Sequence, residues 1–289
     1  MRTSQGWQEV FKSVLGDVDV VLEILDSRNP IGTHNRMVEE FIQKHRPGEI
    51  NLLLVLNKID MVPSEVSRAW IAYFRSKNYL IIPVAAKFKR GTEILFHKIR
   101  MNAKRDPAHC LIVGYPNTGK STLIEALTHD KKVIGTSPLA GFTRSIRKVK
   151  LNNHLFLIDT PGVIPIDEKN ETDMAIKACI TADKLEDPMA VVESIFRLLS
   201  KDQFRQLYNI DLTDDDGPDE LIEKVGRKLG RIIKGGIVNE TEVQKTIIRD
   251  WQANRLRYYM LPPDWKGEDH PVSLPAEDDL PEESPSTKK

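Results

Sequence analysis

The stretch CLIVGYPNTGKSTLIEALT, residues 110–128, decides the fold. An unbroken apolar run gives way to a turn rich in Gly, Pro and Asn, and then to a helical pattern. Within it, Gly114-Tyr115-Pro116-Asn117-Thr118-Gly119-Lys120-Ser121 fits G-x-x-x-x-G-K-[ST], with a strand before it and a helix after it. The glycines let backbone N–H groups wrap an anionic phosphate chain, and the helix N-terminus adds its partial positive charge. Asn117, Thr118, Gly119, Lys120, Ser121 and Thr122 are therefore the candidate phosphate-binding residues. Lys120 is expected to reach the β- and γ-phosphates, and the Ser121 hydroxyl to bind Mg²⁺.

Apolar runs of the same kind recur on both sides. Residues 18–26, 50–57, 79–86, 109–114 and 154–159 are near-continuous, which is the pattern of parallel strands covered on both faces. Residues 144–151 alternate instead and are expected at a sheet edge. Helical patterns near 35–45, 64–77, 91–103 and 119–128 lie between them, with Ser64 as an expected N-cap. This alternation predicts a doubly wound, mostly parallel α/β sheet over residues 1–165. From 166 to 263 the strand signal stops and helical periodicity takes over, in 187–210, 218–236 and 239–256, so a small helical domain is expected. Residues 264–289 are rich in Pro, Ser and acid without an apolar period, the composition of a disordered tail.

Two further segments complete a nucleotide site. In LFLIDTPG, Asp159 ends a strand as a carboxylate for Mg²⁺, and the Gly162 backbone can approach the γ-phosphate. Between it and the phosphate loop, Thr143 in SPLAGFTRS is the hydroxyl expected to close on the metal. The base-reading segment is Asn57-Lys58-Ile59-Asp60, at the end of an apolar strand where doubly wound folds place ligands. The Asp60 carboxylate matches the N1–H and N2 amine of guanine and repels adenine, and buried polar partners reject the wrong base strongly. Lys58 can lay its aliphatic stem over the purine ring. In VAAK, the Ala86 N–H is expected to donate to guanine O6 and Lys87 to flank the ring. The ligand is therefore GTP or GDP with Mg²⁺. Asn117 also suggests K⁺ held beside the phosphates, against a plain turn-stabilising role.

The order is unusual. A conventional GTPase runs phosphate loop, threonine loop, D-x-x-G, N-K-x-D, then S-A-K. Here N-K-x-D and A-A-K come first, so the five elements are present but cyclically rotated. A sheet does not record where its chain begins, and a circularly permuted GTPase is the reading that keeps the site intact.

With LDSRNPIGTHNRMVEEFI, VLNKIDMVP, GYPNTGKST, LIDTPGVIP, GRIIKGG and IIRDWQANRLRYYMLPPD, the chain resembles the YlqF/YawG-type circularly permuted GTPases over about residues 7–264. Within them it is most similar to the nucleolar GTP-binding branch and its archaeal members. The resemblance implies a GTP-hydrolysing assembly factor acting on the large ribosomal subunit precursor and its rRNA. It departs in reading VAAK where S-A-K is usual. Val163 stands where Ras-like proteins place the water-orienting glutamine, so slow intrinsic hydrolysis is expected, with Lys120, Thr143 and Gly162 as the catalytic contacts available. The alternative is a GTP-dependent regulator of a protein or tRNA target outside ribosome assembly.

Composition bounds the partners. Lys+Arg and Asp+Glu are both 42, so only local clustering can point to nucleic acid. One cluster recurs at helical spacing through Lys224, Arg227, Lys228, Arg231 and Lys234, and Lys245 and Arg249 extend it. Lys228, Arg231, Lys234, Lys245 and Arg249 are the RNA-contact candidates. Cys110 and Cys179 have no metal-ligand or disulfide spacing, which suits a reducing compartment. No apolar run approaches the ~20 residues that span a bilayer. A monomer is expected in the cytoplasm, or in the nucleolus or nucleus of a eukaryotic source.

Overall fold

The computed structural model describes residues 11–128, 136–138, 147–159 and 170–265. By internal packing the chain divides into two compact units. The first ends at residue 165 and resumes at Met260; the second runs from residue 166 to Tyr259.

The first unit holds a seven-stranded sheet. Its strands are β1 (Val20–Asp26), β2 (Asn51–Asn57), β3 (Ile81–Val84), β4 (Ala108–Val113), β5 (Thr136–Pro138), β6 (Arg147–Asn152) and β7 (Leu155–Asp159). Their spatial order is β3-β2-β1-β4-β7-β6-β5. The five from β3 to β7 run parallel, while β6 and β5 are antiparallel additions. Strands added after β1 build outward on one side and those after β4 on the other. The reversal opens a crevice at the carboxyl ends of β1 and β4, where doubly wound sheets bind ligands. The fold class expected from the strand–helix alternation is the one observed.

Both faces are packed, which explains the unbroken apolar runs. Alternate residues of β1 separate into two cores. Val20, Leu22 and Ile24 join Leu95, Ile99 and Leu123 on one side, and Val21 joins Phe11, Leu15, Phe41 and Ile42 on the other. The covering helices are α1 (Arg36–His45), α2 (Ser64–Ser76), α3 (Thr92–Asn102) and α4 (Lys120–Thr128). Asn35 caps α1 by accepting the Met37 N–H.

Two local expectations need correction. The alternating segment is β6, but it is not the edge: β5 pairs outside it, and β5 ends in Pro138, a residue without an N–H that suits an outermost strand. Ser64 is the first residue of α2, with Pro63 at the cap. The first helical bond runs to the Pro63 carbonyl, and the Ser64 hydroxyl meets the Glu65 carboxylate instead of a backbone N–H.

The second unit contains α5 (Glu171–Ile176), α6 (Pro188–Leu198), α7 (Lys201–Tyr208), α8 (Pro218–Lys228) and α9 (Glu240–Gln252) around one apolar core. It is not wholly helical. After α8, Ile232–Ile233 and Ile237–Val238 pair as an antiparallel hairpin, β8 and β9. The cause is glycine at three positive-φ positions: Gly230 (φ 66) ends the helix, and Gly235 and Gly236 make the turn. The basic residues therefore do not share one helix face. Lys228 closes α8, Arg231 lies between α8 and β8, and Lys234 is in the hairpin turn.

Candidate guanine-nucleotide site

β2 delivers Asn57, buried, to the crevice, and its side chain bonds two loops. Asn57 Nδ2 donates to the Thr118 carbonyl of the phosphate loop at 2.9 Å, while Oδ1 accepts the Ala86 N–H at 3.1 Å. Gly119 must be glycine here. It has φ 97, and a Cβ on it would stand 2.3 Å from Asn57 Nδ2. Gly114 is held just as closely, a Cβ there meeting the Ile24 carbonyl at 2.7 Å. The loop is further tied by Thr118 Oγ1 donating to the Tyr115 carbonyl at 2.9 Å. Lys120 Nζ donates to the carbonyls of Gly114 and Tyr115 at 2.9 and 2.6 Å.

Lys58 follows Asn57 in the left-handed conformation, φ 62. Its ammonium donates to Asp26 Oδ2 at 2.8 Å and to the Asn117 carbonyl at 2.5 Å, so its stem runs beside the phosphate loop. Asp26 ends β1 and is also gripped by Arg28, Nε on Oδ1 at 2.9 Å and Nη2 on Oδ2 at 2.7 Å. Burial pushes the Asp26 carboxyl up, but the Arg28 and Lys58 cations outweigh it and hold the pKa down at about 2. Burial lowers the pKa of Lys58, with Asp26 pulling the other way. Ser27 secures the same turn, its Oγ donating to the Lys58 carbonyl at 2.6 Å.

Asp60 lies half-buried in the short helical turn Ile59–Met61. Ala86 and Lys87 open the turn after β3, Ala86 buried and Lys87 exposed. The Ala86 N–H expected at guanine O6 is the one that Asn57 accepts, because Asn57 and Val84 are register partners on neighbouring strands. Ser121 and Thr122 are exposed in the first turn of α4. Asp159 ends β7 opposite Ile112, two residues before Gly114. The Ser121 hydroxyl, in the helix that follows β4, and the Asp159 carboxylate, at the end of the neighbouring β7, are oxygen donors of the kind Mg²⁺ takes. Thr143, Gly162 and Val163 lie outside the described residues.

Residues from both halves of the rotated order thus meet at one rim. Residues 109–218 match the family described as 50S ribosome-binding GTPase. An uncharacterized GTP-binding protein of Methanocaldococcus jannaschii is 33% identical over 260 residues, which is 88% of this chain and 67% of that protein. The chain belongs to the circularly permuted GTPases. Nucleolar GTP-binding protein 2 of Pneumocystis carinii is 32% identical over 89% of the chain, and that of Saccharomyces cerevisiae 31% over 92%. The permuted GTPase chain spans about half the length of these curated relatives, 53% and 55%. The GDP-bound structure of YlqF shares the fold at 22% identity, with a TM-score of 0.61, covering 88% of this chain and 100% of that one.

Sequence reasoning had picked out Asn57, Lys58, Asp60 and the phosphate loop. It missed the role of Asp26, Ser27 and Arg28. A carboxylate closing an otherwise apolar strand, with an arginine two residues on, was the available signal. The RNA-contact candidates are spread through the second unit. Lys228, Arg231 and Lys234 are exposed and Lys245 is half-buried, while Arg249 is exposed but paired with Glu242 and Asp183. Lys224 and Arg227 are paired with Asp216 and Glu223.

Proposed function

We propose that this permuted GTPase binds and hydrolyses GTP and acts as a switch in assembly of the large ribosomal subunit, contacting its rRNA. The observation that carries the reading is the Asn57 side chain, which bonds the phosphate loop at Thr118 and the A-A-K turn at Ala86 at once. In the proposed complex Asp60 reads the guanine N1–H and N2 amine, with Lys58 and Lys87 flanking the ring. The cradle formed by Asn117, Thr118, Gly119, Lys120, Ser121 and Thr122 holds the phosphates. Ser121 and Asp159 would hold Mg²⁺, joined by Thr143, with the Gly162 N–H toward the γ-phosphate; the ion would supply neutralisation of the charge on the transferring phosphoryl group. Val163 supports slow intrinsic turnover, with RNA or a partner supplying the missing element, and Asn117 supports a K⁺ requirement.

The relatives' names favour ribosome assembly: nucleolar GTP-binding proteins, and a family described as 50S ribosome-binding. Among the described residues no helix is long and apolar enough to cross a membrane. The protein works as a monomer in the cytoplasm, or in the nucleolus or nucleus of a eukaryotic source, with residues 166–263 as its RNA-binding domain. Sedimentation with precursor large-subunit particles tests this. Co-sedimentation that needs a non-hydrolysable GTP analogue and is lost in high salt is expected. Absence from the particles in every nucleotide state would overturn the reading.

A further inference from the structure

Two residues beyond Ala86, the turn that faces the base site carries an exposed aromatic ring. Residues 87–90 read Lys-Phe-Lys-Arg, and Phe88 is 52% exposed, the one exposed phenylalanine among the described residues. Lys87 Nζ stands 5.6 Å and Arg90 Cζ 5.8 Å from its ring centroid. The turn is held firmly. Ala85 and Arg90 exchange both backbone hydrogen bonds, at 3.1 and 3.2 Å, and the N–H groups of Phe88 and Lys89 bond back to the carbonyls of Ala85 and Ala86. Gly91 (φ 76) permits the closure, since a Cβ there would meet the Pro83 carbonyl at 2.4 Å. Phe88 is thus presented by a fixed turn and not by a loose loop.

An exposed ring with two cations lying over it at 5.6 and 5.8 Å suits few partners. An apolar protein groove would have to take Lys87 and Arg90 out of water beside the ring without counter-charges, which is costly. An unpaired nucleotide supplies both complements, a base face for the ring and phosphates for the cations. A duplex keeps its base faces stacked inside and offers only phosphates. We propose that Phe88, with Lys87, Lys89 and Arg90, is a stacking platform for an unpaired RNA base. It belongs to the first unit and lies on the same turn as Ala86. The inference rests on the proposed RNA-coupled role. RNA held there would restrain the turn that flanks guanine, so its capture and nucleotide binding would favour each other.

Binding of labelled oligoadenylate, and of the same strand paired with oligouridylate, tests the platform by fluorescence anisotropy on the full chain. Wild-type protein should prefer the single strand. Phe88→Leu should weaken that binding about tenfold, the scale of one lost base stack, with little change for the duplex. Phe88→Trp should restore it, and near-UV circular dichroism checks that both variants remain folded. If wild type binds the single strand and Phe88→Leu binds it equally well, the platform is wrong and the RNA-coupled role stands. If wild type binds precursor particles but not oligoadenylate, the platform alone again fails. If it binds neither, both readings fall.

Discussion

At the end of β1, Asp26 is 6% exposed and shared between Arg28 and Lys58. Its work is to fix the lysine that runs along the phosphate loop. Removing its charge with Asp26→Asn should leave Lys58 mobile and Arg28 half-satisfied. Loss of one partner of a buried pair is costly, so GDP affinity should fall at least tenfold by calorimetry. The same group sets an acid limit. Its folded pKa, about 2, lies below the unfolded value of about 3.9. The stability it confers, of order 2 kcal/mol, is complete above the unfolded value and is lost as pH falls from about 4 to about 2. Denaturant midpoints should therefore drop more steeply over that window for wild type than for Asp26→Asn. Parallel curves would show that Asp26 is not held in the charged form.

The elements differ in how much of them could be read in advance. The parallel strands were legible because burial on both faces leaves an unbroken apolar run, and the phosphate loop because its glycines are forced by close approach to Asn57 and Ile24. The hairpin was not legible. Leu229, Ile232, Ile233 and Ile237 keep an approximately helical spacing, while Gly230 imposes the stop. At that stop the Arg231 N–H bonds the Gly226 carbonyl and the Gly230 N–H bonds the Arg227 carbonyl, which closes the end of α8. The Asp26–Lys58 pair was hidden for another reason: it joins the end of β1 to the turn after β2, and no local pattern records it. Gly226 ties α8 to the hairpin, since a Cβ there would lie 2.2 Å from Val238 Cγ1 and 3.1 Å from Val243. Gly226→Ala should destabilise the second unit by about 1–3 kcal/mol through overpacking. A denaturant midpoint unchanged from wild type would mean that the hairpin does not pack as described.

For the molecule as a whole, rotation of the motif order is tolerated because the site is built from strand ends. The chain breaks between β7 and β1, which are not neighbours in the sheet, and the crevice between β1 and β4 survives. Along the chain, the second unit interrupts the first. The chain leaves after β7 and rejoins at Met260. There the Met260 N–H donates to the Arg28 carbonyl and its own carbonyl accepts Trp70 Nε1, both at 2.8 Å. The returning segment is thus fastened to the turn whose side chains hold Lys58. That placement of Asn57 and Lys58 against the phosphate loop, with Asp60 in the turn that follows, is the claim on which the rest depends. Calorimetric titration of wild type and Asp60→Asn with GTP and XTP tests it most directly. Wild type should select GTP, and Asp60→Asn should reverse the preference toward XTP while keeping comparable affinity. A variant that still prefers GTP, or a wild type that gives no heat with guanine nucleotides, would contradict it.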